Sequence, residues 1–250
     1  MCMRTDGNED GWDTVKSVPT NGGFILRRTG HVHKQNFEPQ QKNKKESAIV
    51  WKPIVDSFSI GTRPGAGDWL AEQLGIPRIF LEMFGLGWSE QHKAFTFPMY
   101  DEEFNITGVR LRRVDGSKKS IRGSRDGVFL PYFEFVEPML ITEGPTDAAS
   151  LVSVGYATIG RPSCLGGVEI VAKLVHNKDV VIVTDKDSPG RQGAERLAAR
   201  LVPIAKGIKI IEPTGESNDA REWINSGATQ EVIQTVIESA LDYRKQRIRA

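Results

Sequence analysis

The chain has 250 residues, 39% of them hydrophobic, enough for one large domain or two modest ones with a real core. Its 33 basic and 32 acidic residues leave a formal charge of +1, which excludes a uniformly cationic or anionic surface while leaving room for a segregated one. No run reaches the ~20 apolar residues of a membrane span, the opening residues are acidic and glycine-rich, and Cys2 and Cys164 stand alone, so a soluble cytoplasmic protein without disulfide or zinc is expected.

Residues 1–47 are rich in Gly, Asn, Gln and Lys and show no sustained apolar period, which predicts a disordered or weakly ordered arm. Residues 48–136 are expected to form a small subdomain, helical first, then basic and β-rich. Trp69, Leu70, Leu74, Ile79, Phe80, Met83 and Phe84 recur near helical spacing, interrupted by Pro77 and several glycines. The shorter runs FTFPMY, ITGVRLRR and GVFLPYFEF, bounded by polar turns, predict strands. The stretch GVRLRRVDGSKKSIRGSR carries Arg110, Arg112, Arg113, Lys118, Lys119, Arg122 and Arg125 against Asp115 alone. Such a cluster suits a nucleic-acid backbone or a polyphosphate, though a single run of charge is equally well a solvated hairpin.

From residue 137 to 243 strand and helix alternate, the pattern of an α/β domain with a mainly parallel sheet. MLIT is a strand, and PTDAASLVSVG a helix opening with proline and an acid, both favoured at a helix start. YATIG, VVIVT and GIKIIEP are further strands; VEIVAKLVHN and GRQGAERLAARLV are amphipathic helices, the latter with Ala194, Leu197, Ala198 and Leu201 on one side. NDAREWINSG and TQEVIQTVIESALDYRKQ read as helices, and 244–250 as a basic tail.

In an open α/β sheet, functional groups gather beyond the C-terminal strand ends, where loops converge and helix N-termini point at the ligand. Glu143 follows MLIT, Asp185 and Asp187 follow VVIVT, and Asp219 lies in the polar loop after GIKIIEP. Asp185 and Asp187 are two apart, so in extended backbone both project to one side, with Lys186 turned away. They can share a hard cation, and magnesium accepts one or two carboxylates together with waters and substrate phosphates. Gly144 permits a sharp turn after Glu143, and Asp147 is placed to bond backbone amides or orient Glu143. Each acid alone is an ordinary turn or cap residue. A turn, however, needs no acid at successive strand ends, whereas a metal site does. In GRPSCLGG, Gly160 and Gly166 suit either close approach to a phosphate or a simple turn.

LITEGPTDAASL and VVIVTDKDSPGRQGAERLA, an apolar strand ending in EGxxD and a later one ending in DxD, resemble the Toprim domain of DNA primases, topoisomerases and related nucleases over about residues 138–226. The resemblance implies a Rossmann-like, mainly parallel sheet with flanking helices over 137–243, preceded by the small basic α+β subdomain. It also implies catalysis by Glu143, Asp185 and Asp187, with Glu143 in general acid or base chemistry. NDAREWI resembles a further primase motif and adds Asp219, so that Glu143, Asp185, Asp187 and Asp219 would hold Mg²⁺, with Mn²⁺ as the alternative ion and no zinc. FTFPMYDEEFNITGVRLRR and GVFLPY resemble the basic strands that precede Toprim in phage and plasmid primases. The implied activity is synthesis of short RNA on single-stranded DNA from ribonucleoside triphosphates, the basic residues holding template and nucleotide. A Toprim nuclease and a non-enzymatic DNA-binding module are the alternatives. The sequence holds no P-loop GxxxxGK[ST] and no zinc module, so a helicase or other replication protein is expected on a separate chain.

Overall fold

The computed structural model describes residues 49–58, 63–131 and 136–245, together with the backbone of two strands nearer the N-terminus. Those strands, β1 (Trp12–Val18) and β2 (Gly23–Arg28), pair antiparallel, with an irregularity between Thr14 and Lys16. They fall within the stretch expected to be a disordered or weakly ordered arm; GFILRR carries the apolar run Phe24, Ile25 and Leu26, and the intervening PTNG has turn chemistry. The rest of 1–47 lies outside the described residues. The hairpin belongs to a unit, Met1–Ala48, distinct from the unit Ile49–Ala250 that carries everything below.

The second unit begins with three short helices, α1 (Trp51–Asp56), α2 (Ala66–Leu74) and α3 (Arg78–Met83). Strands β3 (Gly87–Ser89), β4 (Ala94–Tyr100), β5 (Ile106–Arg113) and β6 (Lys118–Ser120) follow as an antiparallel sheet in the order β3-β4-β5-β6. Side chains alternate across a strand, so the sheet has two distinct faces. Trp88, Phe95 and Phe97 pack with Leu70, Leu81 and Phe84 on one, while Ala94, Val109 and Leu111 pack with Trp51 on the other. Of the expected strand GVFLPYFEF, the described residues 127–131 form no ladder element. Val128 and Phe129 instead make single bridges, to Tyr100 and to Gly160, and residues 132–135 lie outside the described residues. This crossing joins the antiparallel sheet to the second one.

That second sheet is parallel, in the order β10-β9-β7-β8, formed by β7 (Met139–Glu143), β8 (Thr158–Arg161), β9 (Asp179–Val183) and β10 (Gly207–Ile211). The helices α4 (Gly144–Ser153), α5 (Val168–Leu174), α6 (Ser188–Leu201), α7 (Ala220–Asn225) and α8 (Gln230–Ser239) cover it. Ile141, Ile159 and Ile182 point to the α5 and α6 face with Val171, Leu197 and Leu201; Leu140, Val181 and Val183 point the other way, to Leu151, Trp223 and Ile233. The central strands are buried on both faces, which is why they read as unbroken apolar runs. Helix α4 is buried on nearly every side, because Leu151 faces the parallel sheet while Ala148, Ala149 and Val152 join the core that Leu81 and Phe84, in and just after α3, share with the antiparallel sheet.

The last predicted helix ends at Ser239 rather than continuing, since Ala240 is extended and Arg244 turns back to donate to the carbonyls of Val202, Ala205 and Lys206. Arg244, the first residue of the stretch read as a tail, thus caps the end of α6; residues 246–250 lie outside the described residues. Gly160 is explained by packing: a Cβ there would stand 2.5 Å from the carbonyl oxygen of Gly144 and 3.2 Å from Cβ of Phe129. Gly160→Ala is expected to destabilise the protein by about 1–3 kcal/mol, as overpacking against backbone does. Urea denaturation measures it, and an unchanged midpoint would mean that the β7–α4 turn yields without cost.

Candidate active site

Strands β7, β9 and β10 deliver their ends side by side, and each end carries acid. Glu143 is the last residue of β7 and the N-cap of α4; Asp185 and Asp187 lie just past β9; Asp219 lies past β10. The local folding of each follows from capping. The Oδ1 of Asp187 accepts from the amide of Gly190 at 2.6 Å, and the Oδ1 of Asp219 accepts from the amide of Glu222 at 2.7 Å, so each aspartate starts a helix and holds its second oxygen in place. The amide of Lys186 donates to the carbonyl of Asn218 at 2.9 Å, tying the two acidic loops together, and Nζ of Lys186 leaves the acids to reach the carbonyl of Gly215. Gly144, with φ of 76°, makes the turn between β7 and α4 that a side chain would strain.

Asp147, on the first turn of α4, is buried, and its Oδ1 accepts from the amide of Arg221 at 3.2 Å. It thereby joins α4 to the start of α7, the helix that Asp219 caps. Burial, then repulsion from Asp219, pushes the Asp147 carboxyl up to about 6. Burial also pushes Asp185 up to about 7, reinforced by the negative charges of Asp147, Glu143, Asp219 and Asp187. Glu143 is raised chiefly by burial, with Asp187 adding to the shift and Arg161 and Lys118 opposing it. Glu143, Asp147 and Asp185 are thus all pushed toward their neutral forms, first by burial and then by the acids around them.

Cations face them from the antiparallel sheet. In register, Phe95 pairs with Arg112 and Arg112 with Lys118, so these side chains share one face. Arg112 is half-buried; burial lowers its pKa, while Asp147 and Asp219 attract its charge. Lys118 exerts its charge on Glu143 and Asp147. The other predicted cations are differently employed. Arg110 donates to the carbonyl of Pro162 at 2.7 Å and so anchors the GRPSCLGG loop. Arg113 and Lys119 pair with Ala94 and Leu111, on the face turned away from the acids, and Arg122 and Arg125 are exposed beyond β6. Two contributors were not singled out from the sequence. Arg161, buried, donates to the carbonyls of Cys164 and Gly166 and carries charge toward Glu143; Arg221 donates to Asp219 at 3.3 Å. Neither belongs to a run of charge, so pattern alone offered no signal for them.

Among the described residues, no group of three His, Cys, Asp or Glu side chains is arranged to hold an ion by itself. The donor chemistry nevertheless fits a hard divalent cation. The clustered side chains are carboxylates; burial lifts Asp185 and Asp147, and the repulsion that adds to it is what a bound cation would relieve. Magnesium keeps several waters and binds through one or two carboxylates plus substrate phosphates, so it does not need a complete protein cage.

Fold and site together define a Toprim-like α/β domain: residues 140–224 match the Toprim-like family model. The whole arrangement, basic sheet included, resembles the catalytic cores of primases. The zinc-binding and RNA polymerase domains of the Aquifex aeolicus primase superpose with a TM-score of 0.63 at 18% identity, covering 80% of this chain and 62% of that one. This chain therefore spans less than two thirds of that structure. A DNA primase domain from Pseudomonas aeruginosa gives 0.59 at 13% identity, over 79% and 80% of the two chains. The DnaG primase catalytic domain bound to single-stranded DNA gives 0.58 at 12%, over 77% and 78%. At such identities the likeness is one of fold. No curated protein matches the sequence.

Proposed function

We propose that the chain is a DNA primase-like nucleotidyltransferase, joining ribonucleotides on a single-stranded DNA template. The observation that carries this reading is the opposition of two charge sets: four carboxyls at adjacent strand ends with Asp147 of α4 beside them, and Arg112 with Lys118 on the facing sheet. Phosphoryl transfer from a triphosphate needs both, because the acids must gather cations and the leaving phosphates must be neutralised.

In this reading Glu143, Asp185, Asp187 and Asp219 hold Mg²⁺, or Mn²⁺ in its place. Once bound, the ion offsets charge on the phosphate and lowers the pKa of the attacking hydroxyl. Glu143, lifted toward neutrality by burial, takes the proton of that hydroxyl. Arg112 and Lys118 bind the triphosphate of the incoming nucleotide. Asp147 keeps α7 against α4 and with it the position of Asp219. The remaining cations, Arg113, Lys119, Arg122 and Arg125, form an exposed strip suited to the template backbone. Among the described residues no helix is long and apolar enough to cross a membrane, and we place the protein in the cytoplasm, working beside a helicase on another chain.

The test is purified protein with Mg²⁺, four ribonucleoside triphosphates and end-labelled single-stranded DNA. New short RNA is the expected product. Shortened DNA would instead assign the site to a nuclease, and binding without any product would reduce the domain to a DNA-gripping module.

A further inference from the structure

A second feature lies in the same row of the antiparallel sheet as the cations that face the acids. Trp88 pairs with Phe95, Phe95 with Arg112, and Arg112 with Lys118, one residue from each strand and all on one face. At a strand spacing of about 4.8 Å the row is about 14 Å long. Its cationic end lies close enough for the Lys118 charge to act on Glu143 and Asp147. Its aromatic end is the floor of an open cavity of about 430 Å³, lined by Arg63, Pro64, Ala66, Trp69 and Val114 as well as Trp88 and Phe95.

The cavity is built from π-faces. Trp69 of α2 stacks on Phe95 with ring centroids 5.9 Å apart and planes within 4° of parallel, and Phe95 meets Trp88 edge-on at 5.0 Å. The Arg63 guanidinium lies 4.1 Å from the centre of the Trp88 ring. Trp69 remains 38% exposed, which is high for an indole already stacked on one neighbour. Trp88 cannot swing, since its Nε1 donates to Oε1 of Glu90 at 2.7 Å. The Glu90 charge is in turn met by Lys93 at 2.6 Å, so the acid nearest the pocket does not repel an anion unopposed.

We infer that this pocket takes an unpaired base of the template strand, stacked on the free face of Trp69, with Arg63 receiving an adjacent phosphate. The inference rests on the proposed primase-like reading and extends it by fixing where one template base sits: at the aromatic end of the row, opposite the cationic end that faces the acids. Flat faces serve any base, and a guanidinium beside them supplies the anionic complement, which is the chemistry of sequence-tolerant single-strand binding. A pocket of this size, within the roughly 300–1,000 Å³ that hold small ligands, admits one nucleotide unit and no duplex.

The experiment is fluorescence anisotropy with labelled oligodeoxythymidylate. Trp69→Ala is expected to weaken binding roughly 5- to 100-fold, the range typical of a lost base stack. Trp69→Leu, which keeps apolar bulk against Phe95 and so guards against a folding artefact, is expected to weaken it comparably, while Trp69→Phe retains most of the affinity. An oligonucleotide with abasic sites in place of bases is expected to bind the parent and Trp69→Ala alike. Parental affinity in Trp69→Ala, or in Trp69→Leu, overturns the proposal. So does a loss confined to free uridine triphosphate, which would make the occupant a mononucleotide. RNA synthesis by the parent is scored separately: a chain that makes none yet shows this binding pattern loses the polymerase reading and keeps the base pocket.

Discussion

Glu143→Gln is expected to lower RNA synthesis about 10²- to 10⁴-fold, the range that a positioned general acid or base contributes, while single-stranded DNA binds as before. The amide is isosteric with the acid, so the β7–α4 turn and the cap position it occupies are preserved. What is lost is a proton acceptor and one charged oxygen toward the cation. Stability is expected to hold or rise, because the parent carboxyl is already lifted by burial and by Asp187, and the amide is spared both costs. DNA affinity should persist because the exposed cations and the aromatic pocket lie on the antiparallel sheet. Steady-state primer synthesis and oligonucleotide anisotropy on one preparation separate the two effects. Full synthesis by the variant would remove Glu143 from the chemistry.

The second large effect concerns Asp185. In the unfolded chain its carboxyl titrates near the ordinary 3.8, whereas in the fold it keeps its proton up to about 7. Between those values the native state binds more protons than the unfolded one, so the ion-free protein loses stability as pH rises from about 4 to about 7, and the loss is complete above. A shift of that size corresponds to about 4 kcal/mol before screening; Asp185 is partly exposed, and solvent reduces the figure to about 1–2 kcal/mol. Asp187 and Asp219 keep their helix caps when Asp185 changes. Asp185→Asn should therefore be more stable than the parent at pH 8, equal to it near pH 4, and inactive in synthesis. Adding magnesium should raise the melting temperature of the parent more at pH 8 than at pH 5, and that of the variant little at either. Parallel pH profiles of stability for parent and variant would show that the carboxyl is not under the pressure described.

Much of this was legible in the sequence, and for a physical reason. The strands of the parallel sheet are buried on both faces, so VVIVT and MLIT appear as unbroken apolar runs whose ends can be read to within a residue or two, and the acids at those ends follow directly. Edges and crossings are different. Strands β3 and β6 are three residues each, too short for any period to show, and the segment 127–131 has no ladder of its own because its form comes from bridging two sheets. The basic run was visible as charge, but which of its members face the acids depends on register: a one-residue slip of β5 would exchange Arg112 for Arg113. The buried Arg161 and the anchoring of Arg110 on Pro162 depend on contacts between distant segments, which composition does not encode.

The crossing at Val128 and Phe129 has a consequence for how the two charge sets meet. Four main-chain hydrogen bonds, two between Tyr100 and Val128 and two between Phe129 and Gly160, hold the antiparallel sheet to the parallel one. The width of the cleft is thus written in peptide groups, and the side chains lining it can change while the span stays the same. Replacing Arg112 or Lys118 would retune the potential a phosphate meets without moving the walls, so a family built on this frame is free to alter what it holds before altering how it is shaped.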